Sequence, residues 1–535
     1  MWSNVGALVL FFLGSLTLYG LLKFFHKMWW LPSRITRVMS SQGISGPPYR
    51  FIHGNTKEIA SIKDQAKTTF TDLSHDIYPR IQPHFVIWFR LYGRKTFLDW
   101  YGPQPELVIM DPQIIKEIAS NRNVSLERPD LGSYHKKILG DGLVTSKGEK
   151  WARQRKLANH AFSVESSKNM IPTMVESVEM LLLRWKKMVG SEVEVNAEFR
   201  ILTAEVISKT AFGTSYLEGK QVFEMLKEMS TIAGRNYHNP RLPGLRYTFI
   251  NNFYILQEKY GSNRVFCSKI LKTNDDLRSD ELQNTIQDLI LKTIKEREKI
   301  MVVDADTWGN DFLGQLVRAN HDIDERYQLS IQDIVDECKT FYVSGDGTTS
   351  LVLSWVVLLL SVHTEWQERA RREVFELFGK ENPTPEGILK LKTISMIINE
   401  TLRLYPPGLA IIRYNEREVK LGSITIPSNV ILHVPVLALH HDRKIWGEDA
   451  HLFKPDRFSE GINKATKNNP SAYMPFGFGP RNCVGSNFAT NTAKVALAMI
   501  LQHFRFTLSL NYVHLPVHLM MLIPKNGIQV MLDAL

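Results

Sequence analysis

Phe476-Gly-Phe-Gly-Pro-Arg-Asn-Cys-Val-Gly485 is the stretch on which the reading of this chain turns. It sets one cysteine, Cys483, in a tight glycine-rich loop, two residues after Arg481 and just ahead of an apolar helical run. The glycines at 477 and 479 invite a dinucleotide-loop reading. That fingerprint needs a third glycine, where this chain has Asn482, and a surrounding βαβ unit that the flanking sequence lacks. What remains is sulfur chemistry. Glycines let backbone amides approach a sulfur closely. Those amides, with the N-terminus of the following helix, stabilise a thiolate. Arg481 can meet an anionic group on the same ligand. The competing reading of Cys483 is a buried free thiol packed as a small hydrophobe.

Composition narrows the surroundings of that loop. Cys267 and Cys338 are the other cysteines in the 535 residues, too few and too scattered for a disulfide framework or a cysteine-rich zinc fold. Sixty-five basic against 55 acidic residues leave a net charge of +10, which suits an acidic partner: nucleic acid, anionic lipid or an acidic protein surface. No nucleic-acid motif accompanies the charge. His514 and His518 have the i, i+4 spacing of a helical metal pair, but Pro516 breaks a helix there and no carboxylate joins them.

The N-terminus fixes the expected compartment. Residues 1–22 carry no charge, and the run from Val5 to Leu22, extended through Phe24, Phe25, Trp29 and Trp30, is long enough to cross a ~30 Å hydrocarbon layer as a helix. A cleaved signal peptide would need a basic leader and a small-residue cleavage site. This chain has neither; bulky Lys-Phe-Phe-His-Lys-Met-Trp-Trp follows the run. Lys23, Lys27, Arg34 and Arg37 all lie on its C-terminal side, so the expected orientation leaves the body in the cytosol. We therefore expect a membrane anchor over 1–30, a basic and proline-rich joint over 31–50 containing Gly46-Pro47-Pro48, and one catalytic domain over 51–535.

That body reads as mainly α with a small β region. Apolar residues recur at helical spacing over Met170–Val189, Phe199–Phe212 and Ile331–Val362. Ser330 can cap the last of these, and Asp333, Asp336 and Glu337 place negative charge in its first turns. Gly408–Val436, with alternating β-branched residues and the turn Leu421-Gly422-Ser423, predicts short strands. Residues 463–471 are polar and predict a surface loop.

Phe476, Gly479, Arg481, Cys483 and Gly485 resemble the heme loop of the cytochrome P-450 monooxygenases, enzymes in which a cysteine thiolate binds heme iron. Further stretches resemble the family in the required order. Glu400-Thr-Leu-Arg403 is similar to its Glu-x-x-Arg helix, and Phe453-Lys-Pro-Asp-Arg-Phe458 to its Pro-Glu-Arg-Phe motif with Asp456 for Glu. Trp151-Ala-Arg-Gln-Arg155 is similar to its Trp-x-x-x-Arg helix. The resemblance implies the cytochrome P-450 fold preceded by one transmembrane helix, heme b bound by Cys483, and propionate contacts from Trp151, Arg155 and Arg413. It also implies a buried triad of Glu400, Arg403 and Arg457. Without it, Glu400 and Arg403 are only an i, i+3 pair worth a few tenths of a kcal/mol, Trp151 packs in a core and Arg155 sits on a solvated face.

The wording around His440-His441-Asp442, Ile445–Ala450, Arg457–Gly461 and Tyr473–Phe476 resembles a plant clan of brassinosteroid and gibberellin inactivators, secologanin synthase and triterpenoid oxidases. The implied substrate is an apolar terpenoid or steroid-like molecule. Electrons from NADPH would arrive through a separate NADPH–cytochrome P-450 reductase. Lys147, Lys150, Arg153, Arg155 and Lys156 form the basic run that would face it; the simpler reading is a solvated helix face. The implied location is the endoplasmic reticulum membrane.

One position departs from the family. Where its central helix carries an acid followed by a threonine for proton delivery, this chain reads Ser344-Gly-Asp-Gly-Thr-Thr349. Thr348 falls in the threonine slot and Gly347 in the acid slot. Asp346 is one residue early, about 100° around a helix. Gly345 and Gly347 each cost roughly 1 kcal/mol in a helix interior and ease local distortion. Three readings follow: Asp346 swings in, water relays protons to Thr348, or oxygen activation is weakened. We prefer the water relay. Two rival functions rest on Gly347 alone, a heme-thiolate isomerase or dehydratase working without dioxygen, and a non-catalytic heme scaffold.

Overall fold

The computed structural model describes residues 2–67, 73–93, 95–120, 126–130, 132–236, 273–301, 311–322, 324 and 328–535. Cys267 lies outside the described residues. The chain divides into two compact units: Met1–Phe70 with Tyr78–Pro129 and Ala410–Pro435, and Thr71–Ile77 with Asp130–Leu409 and Val436–Leu535. Both draw on the 51–535 stretch.

The first unit begins with a helix over Trp2–Phe25, passes through a π-helical turn at His26–Trp30 and continues as a helix to Ser40. Helix thus enters the stretch expected to be a joint, and the non-helical chain starts only after Ser40. Pro32 explains the π turn. It has no N–H for the Met28 carbonyl; the Leu31 N–H reaches back to His26 O, and the Tyr49 hydroxyl donates to Met28 O at 2.8 Å. Along the first helix Leu10, Phe11, Phe12, Leu16, Leu21 and Leu22 are exposed.

The same unit holds a five-stranded sheet in the order Thr96–Tyr101, Gln104–Ile109, Ile431–Pro435, Ala410–Asn415, Leu126–Glu127. The strands anticipated between 408 and 436 are there, including the hairpin Val419–Leu421 with Ile424–Ile426. The hairpin Thr96–Ile109 was not anticipated. Its four central residues on the first strand, Phe97 to Trp100, are all buried, so the alternation that marks a half-buried strand is missing. Phe85, Trp88, Phe97 and Val108 form the core under it.

The second unit is built on the helix Ile331–Val362. Its start matches the expected cap: Ser330 accepts from the Asp333 N–H, and Asp333 in turn accepts from the Ser330 N–H. This is a reciprocal box that satisfies two otherwise orphaned donors. Among the described residues this helix is long and apolar enough to cross a membrane by length and composition, but it is mostly buried in the body, as a core helix is. Val195–Phe212 packs along it, and Ser486–His503 packs against Ile171–Lys186. A three-stranded sheet, Glu192–Glu194, Gln529–Ala534 and Phe504–Leu508, closes one end. The polar stretch expected as a loop contains single turns of helix at Ile462–Ala465 and Pro470–Ala472. Pro516–His518 is a strand, so His514 and His518 do not share a helix, as the proline there implies.

Candidate cofactor and oxygen site

Cys483 lies between a 3-10 turn, Gly479–Arg481, and the helix Ser486–His503. The loop closes on itself: the Cys483 N–H donates to Phe476 O at 2.7 Å, and the Asn482 N–H to Gly479 O at 3.0 Å. Gly477 and Gly479 have φ of 75° and 76°, a region that glycine enters without steric cost. The Gly485 N–H points at the sulfur and Arg155 lies near it; both favour the thiolate, but burial is the larger effect and raises the thiol above its ordinary value. Coordination to a metal cation deprotonates a thiol outright. Despite its dense surround Cys483 keeps an accessible side chain, as a residue lining a recess does. Cys338 is buried.

This donor set fits a heme. Among the described residues no three or more His, Cys, Asp or Glu side chains are grouped to hold a metal. Aromatic and cationic side chains gather at the loop. Arg155, on the helix Gly148–Ala161, donates from Nη1 to Asn482 O and from Nη2 to Asn482 Oδ1, both at 2.6 Å. Arg481 donates to Ser146 O at 3.0 Å, and its guanidinium lies 4.4 Å from the centroid of the Trp151 ring. Arg413 belongs to the other unit, on the strand Ala410–Asn415, and donates to Ile412 O. Within the basic run Lys150 is committed internally, to Asp141 at 2.8 Å and Asp333 at 2.6 Å.

The triad residues meet at full burial. Arg403 binds both oxygens of Glu400 at 2.7 Å, and both side chains are 0% exposed. Arg457 Nε lies 3.4 Å from the same Glu400 Oε1, which also accepts the Lys454 N–H at 3.0 Å. Arg403 caps the His440 and Ala450 carbonyls, Arg457 those of Trp446 and Asp449. The His440 ring then accepts the Met474 N–H at 3.0 Å, tying the triad to the stretch that leads into the cysteine loop. Asp456 turns outward to Arg369 at 3.0 Å.

On the central helix the Thr348 hydroxyl donates to Ser344 O at 2.7 Å. Asp346 is buried and bound elsewhere, by Arg200 at 3.1 Å and by the Thr203 hydroxyl at 3.0 Å. Its pKa is raised by burial, against the opposing pull of Arg200 and Thr203. Asn482, Arg200 and Thr203 were not anticipated. An arginine and threonine at i, i+3 on a helix carry no signal of their own, since their partner is 143 or more residues away.

Comparison with known proteins agrees with this geometry. The cytochrome P450 family profile matches residues 80–532. Cytochrome P450 CYP749A22 of Panax ginseng is 48% identical over 546 residues, covering 100% of both chains. Cytochrome P450 734A1 of Arabidopsis thaliana is 38% identical, covering 94% of this chain and 92% of its own. An 11-oxo-beta-amyrin 30-oxidase of Glycyrrhiza uralensis is 37% identical, covering 95% and 94%. The chain belongs to the cytochrome P450 family, and is an oxidoreductase of the monooxygenase class. The family uses heme b with a cysteine thiolate ligand and electrons delivered from a reductase.

Proposed function

We propose that this protein hydroxylates an apolar terpenoid or steroid-like plant metabolite, using dioxygen and NADPH electrons passed through NADPH–cytochrome P-450 reductase. The observation that carries the reading is the closed loop that presents an accessible Cys483 at a helix start beside Arg155, Arg481 and Trp151. In this reading Cys483 holds the heme iron. Trp151, Arg155 and Arg481 would hold the propionates, with Arg413 the further propionate arginine that the family resemblance implies, so Arg155 would exchange part of its grip on Asn482 for an anionic group, a stronger charge-assisted bond. Phe476 and Gly485 shape the loop that fixes the sulfur. When bound, the heme supplies the oxygen activation that lets an oxygen atom enter a C–H bond. Thr348 holds a proton at Oγ1 and passes it inward, with water as the source because position 347 has no acid.

Residues 2–25 serve as a single membrane anchor in the endoplasmic reticulum, with the body in the cytosol. Its support is the exposed apolar surface of the first helix and the basic residues that follow it. The substrate class rests on likeness to relatives such as the 11-oxo-beta-amyrin 30-oxidase. The test is reconstitution with reductase and a screen of terpenoids by ligand-induced spectral shift, followed by turnover. Cys483→Ser is expected to abolish the long-wavelength Soret band of the reduced carbon monoxide complex, while Cys338→Ser keeps it. Product formation without NADPH or dioxygen would overturn the reaction type.

A further inference from the structure

The central helix is pinched on both sides just before Thr348. At Gly345 a Cβ would stand 2.7 Å from Ile207 Cγ1, a residue of the helix Val195–Phe212. At Gly347 a Cβ would stand 2.9 Å from Met521 Cε and 3.6 Å from its Sδ. The first contact lets two helices approach. The second lays the tip of a long apolar side chain over bare backbone, in the slot where the family carries its acid.

Met521 is not there by the accident of a loose loop. It sits in the turn between the strands Pro516–His518 and Leu522–Pro524. The Leu519 N–H donates to Met521 O at 3.2 Å, closing the turn. The Leu522 N–H donates to Pro407 O at 3.1 Å, and Trp355 Nε1, itself on the central helix, donates to Leu522 O at 3.3 Å. Leu519 packs 3.5 Å from where a Cβ on Gly234 would lie. The turn is thus held to the central helix and to the chain after Tyr405, and the height of Met521 over residue 347 is set.

We infer that Met521 and Gly347 are one complementary pair, in which the thioether takes the volume of the missing acid and Met521 acts as a positioning residue that keeps water off the 347 side of the Thr348 turn. The inference rests on the proposed role of Thr348 in proton delivery. A thioether cannot donate a proton and fills irregular gaps well. Met521 therefore closes one approach to the Thr348 hydroxyl and leaves proton supply to the remaining side. Opening that approach lets protons reach dioxygen out of turn, so that the two NADPH electrons and two protons leave as hydrogen peroxide instead of driving product and water.

The test is a double-mutant cycle on the full-length, heme-loaded protein with reductase and a verified substrate. Met521→Ala is expected to raise peroxide per NADPH several-fold, and Met521→Leu, which keeps apolar volume, to leave it near the native ratio. Gly347→Ala in the Met521→Ala background returns part of the lost volume and is expected to bring peroxide back down. A purely thermal readout accompanies this: Gly347→Ala gains helix propensity but must displace the Met521 tip, so it raises the unfolding midpoint more in the Met521→Ala background than in the native one. Thr348→Ala is run alongside. If it changes coupling while the cycle is additive in both readouts, or Met521→Leu behaves as Met521→Ala, the inference is overturned and the role of Thr348 stands. If Thr348→Ala changes nothing, the proton-delivery reading falls and takes the inference with it.

Discussion

Asp346 is bound to Arg200 of a neighbouring helix, Oδ2 to Nη2 at 3.1 Å, and its other oxygen accepts from Thr203 at 3.0 Å. The nearest carboxylate to Thr348 in sequence is therefore a cross-link between two helices. Its backbone carbonyl is engaged as well, by the Ser350 hydroxyl at 2.9 Å. Swinging into the acid slot would strip the buried carboxylate of its Arg200 and Thr203 bonds, at a cost of several kcal/mol.

Asp346→Asn is the corresponding test. The amide keeps an acceptor for Thr203 and removes the ion pair. We expect a stability loss of about 1–3 kcal/mol, seen as a lower unfolding midpoint, with NADPH coupling changed less than about twofold. A collapse of coupling in a variant that folds would return Asp346 to the role of acid.

Glu400 and Arg403 give a sharper expectation. Both are fully buried, and Glu400 serves two arginines and the Lys454 N–H. Removing one member leaves the others as uncompensated buried charge, at about 3–5 kcal/mol. Glu400→Ala and Arg403→Ala should yield little heme-loaded protein, measured as the ratio of Soret to protein absorbance. Arg457→Lys, at the partly exposed corner of the triad, should lose less, because its main losses are hydrogen bonds to carbonyls.

Glu337 supplies a pH dependence. It is buried on the central helix, and burial raises its carboxyl from 4.5 to about 8. The folded state therefore binds a proton that the unfolded chain has released between those values. The stability this contributes is complete below about pH 4.5 and is lost as pH rises through about 8, on the order of a few kcal/mol. Glu337→Gln should flatten that slope and be the more stable protein at pH 8.5, as read by denaturant melts at pH 6 and 8.5. A native slope unchanged by the substitution would rule out this group.

Deleting residues 1–30 should release much of the protein from microsomal membranes, by fractionation, because the exposed apolar helix goes with it. The deletion also removes Met28, whose carbonyl receives the Tyr49 hydroxyl and whose side chain is buried. Cutting after Phe25 instead should release the protein with less loss of stability. Protease protection of the body in intact vesicles would reverse the proposed orientation.

The contrast between legible and illegible parts is physical. The span Ile331–Val362 could be read to the residue because its cap, Ser330 with Asp333, is local. The cysteine loop could be read because its glycines are required by backbone shape over a few residues. The hairpin at 96–109 could not, since burial on both faces erased its period, even placing Asp99 inside. Gly347 could be read only as a missing acid. That its space belongs to Met521, 174 residues on, is a fact of packing between distant stretches, and no spacing rule carries it.

Thr348 and Gly347 bear the last expectation. If oxygen is activated through this turn, Thr348→Ala loses a hydroxyl bond of order 1 kcal/mol, several-fold in rate, and more where a proton path depends on it. Peroxide should rise and product fall. Gly347→Glu restores the family's acid but drives its first carbon to 2.9 Å from Met521 Cε. A methionine tip can move, so the variant should fold, with the carboxylate held off its place. Combining Gly347→Glu with Met521→Ala clears the slot and should improve product per NADPH over Met521→Ala alone. If the cleared acid gives no gain while Thr348→Ala remains damaging, water already supplies protons as fast as the reaction uses them. If Thr348→Ala leaves coupling unchanged on a verified substrate, this threonine carries no proton, and the rearranging reaction that needs no dioxygen becomes the reading to test.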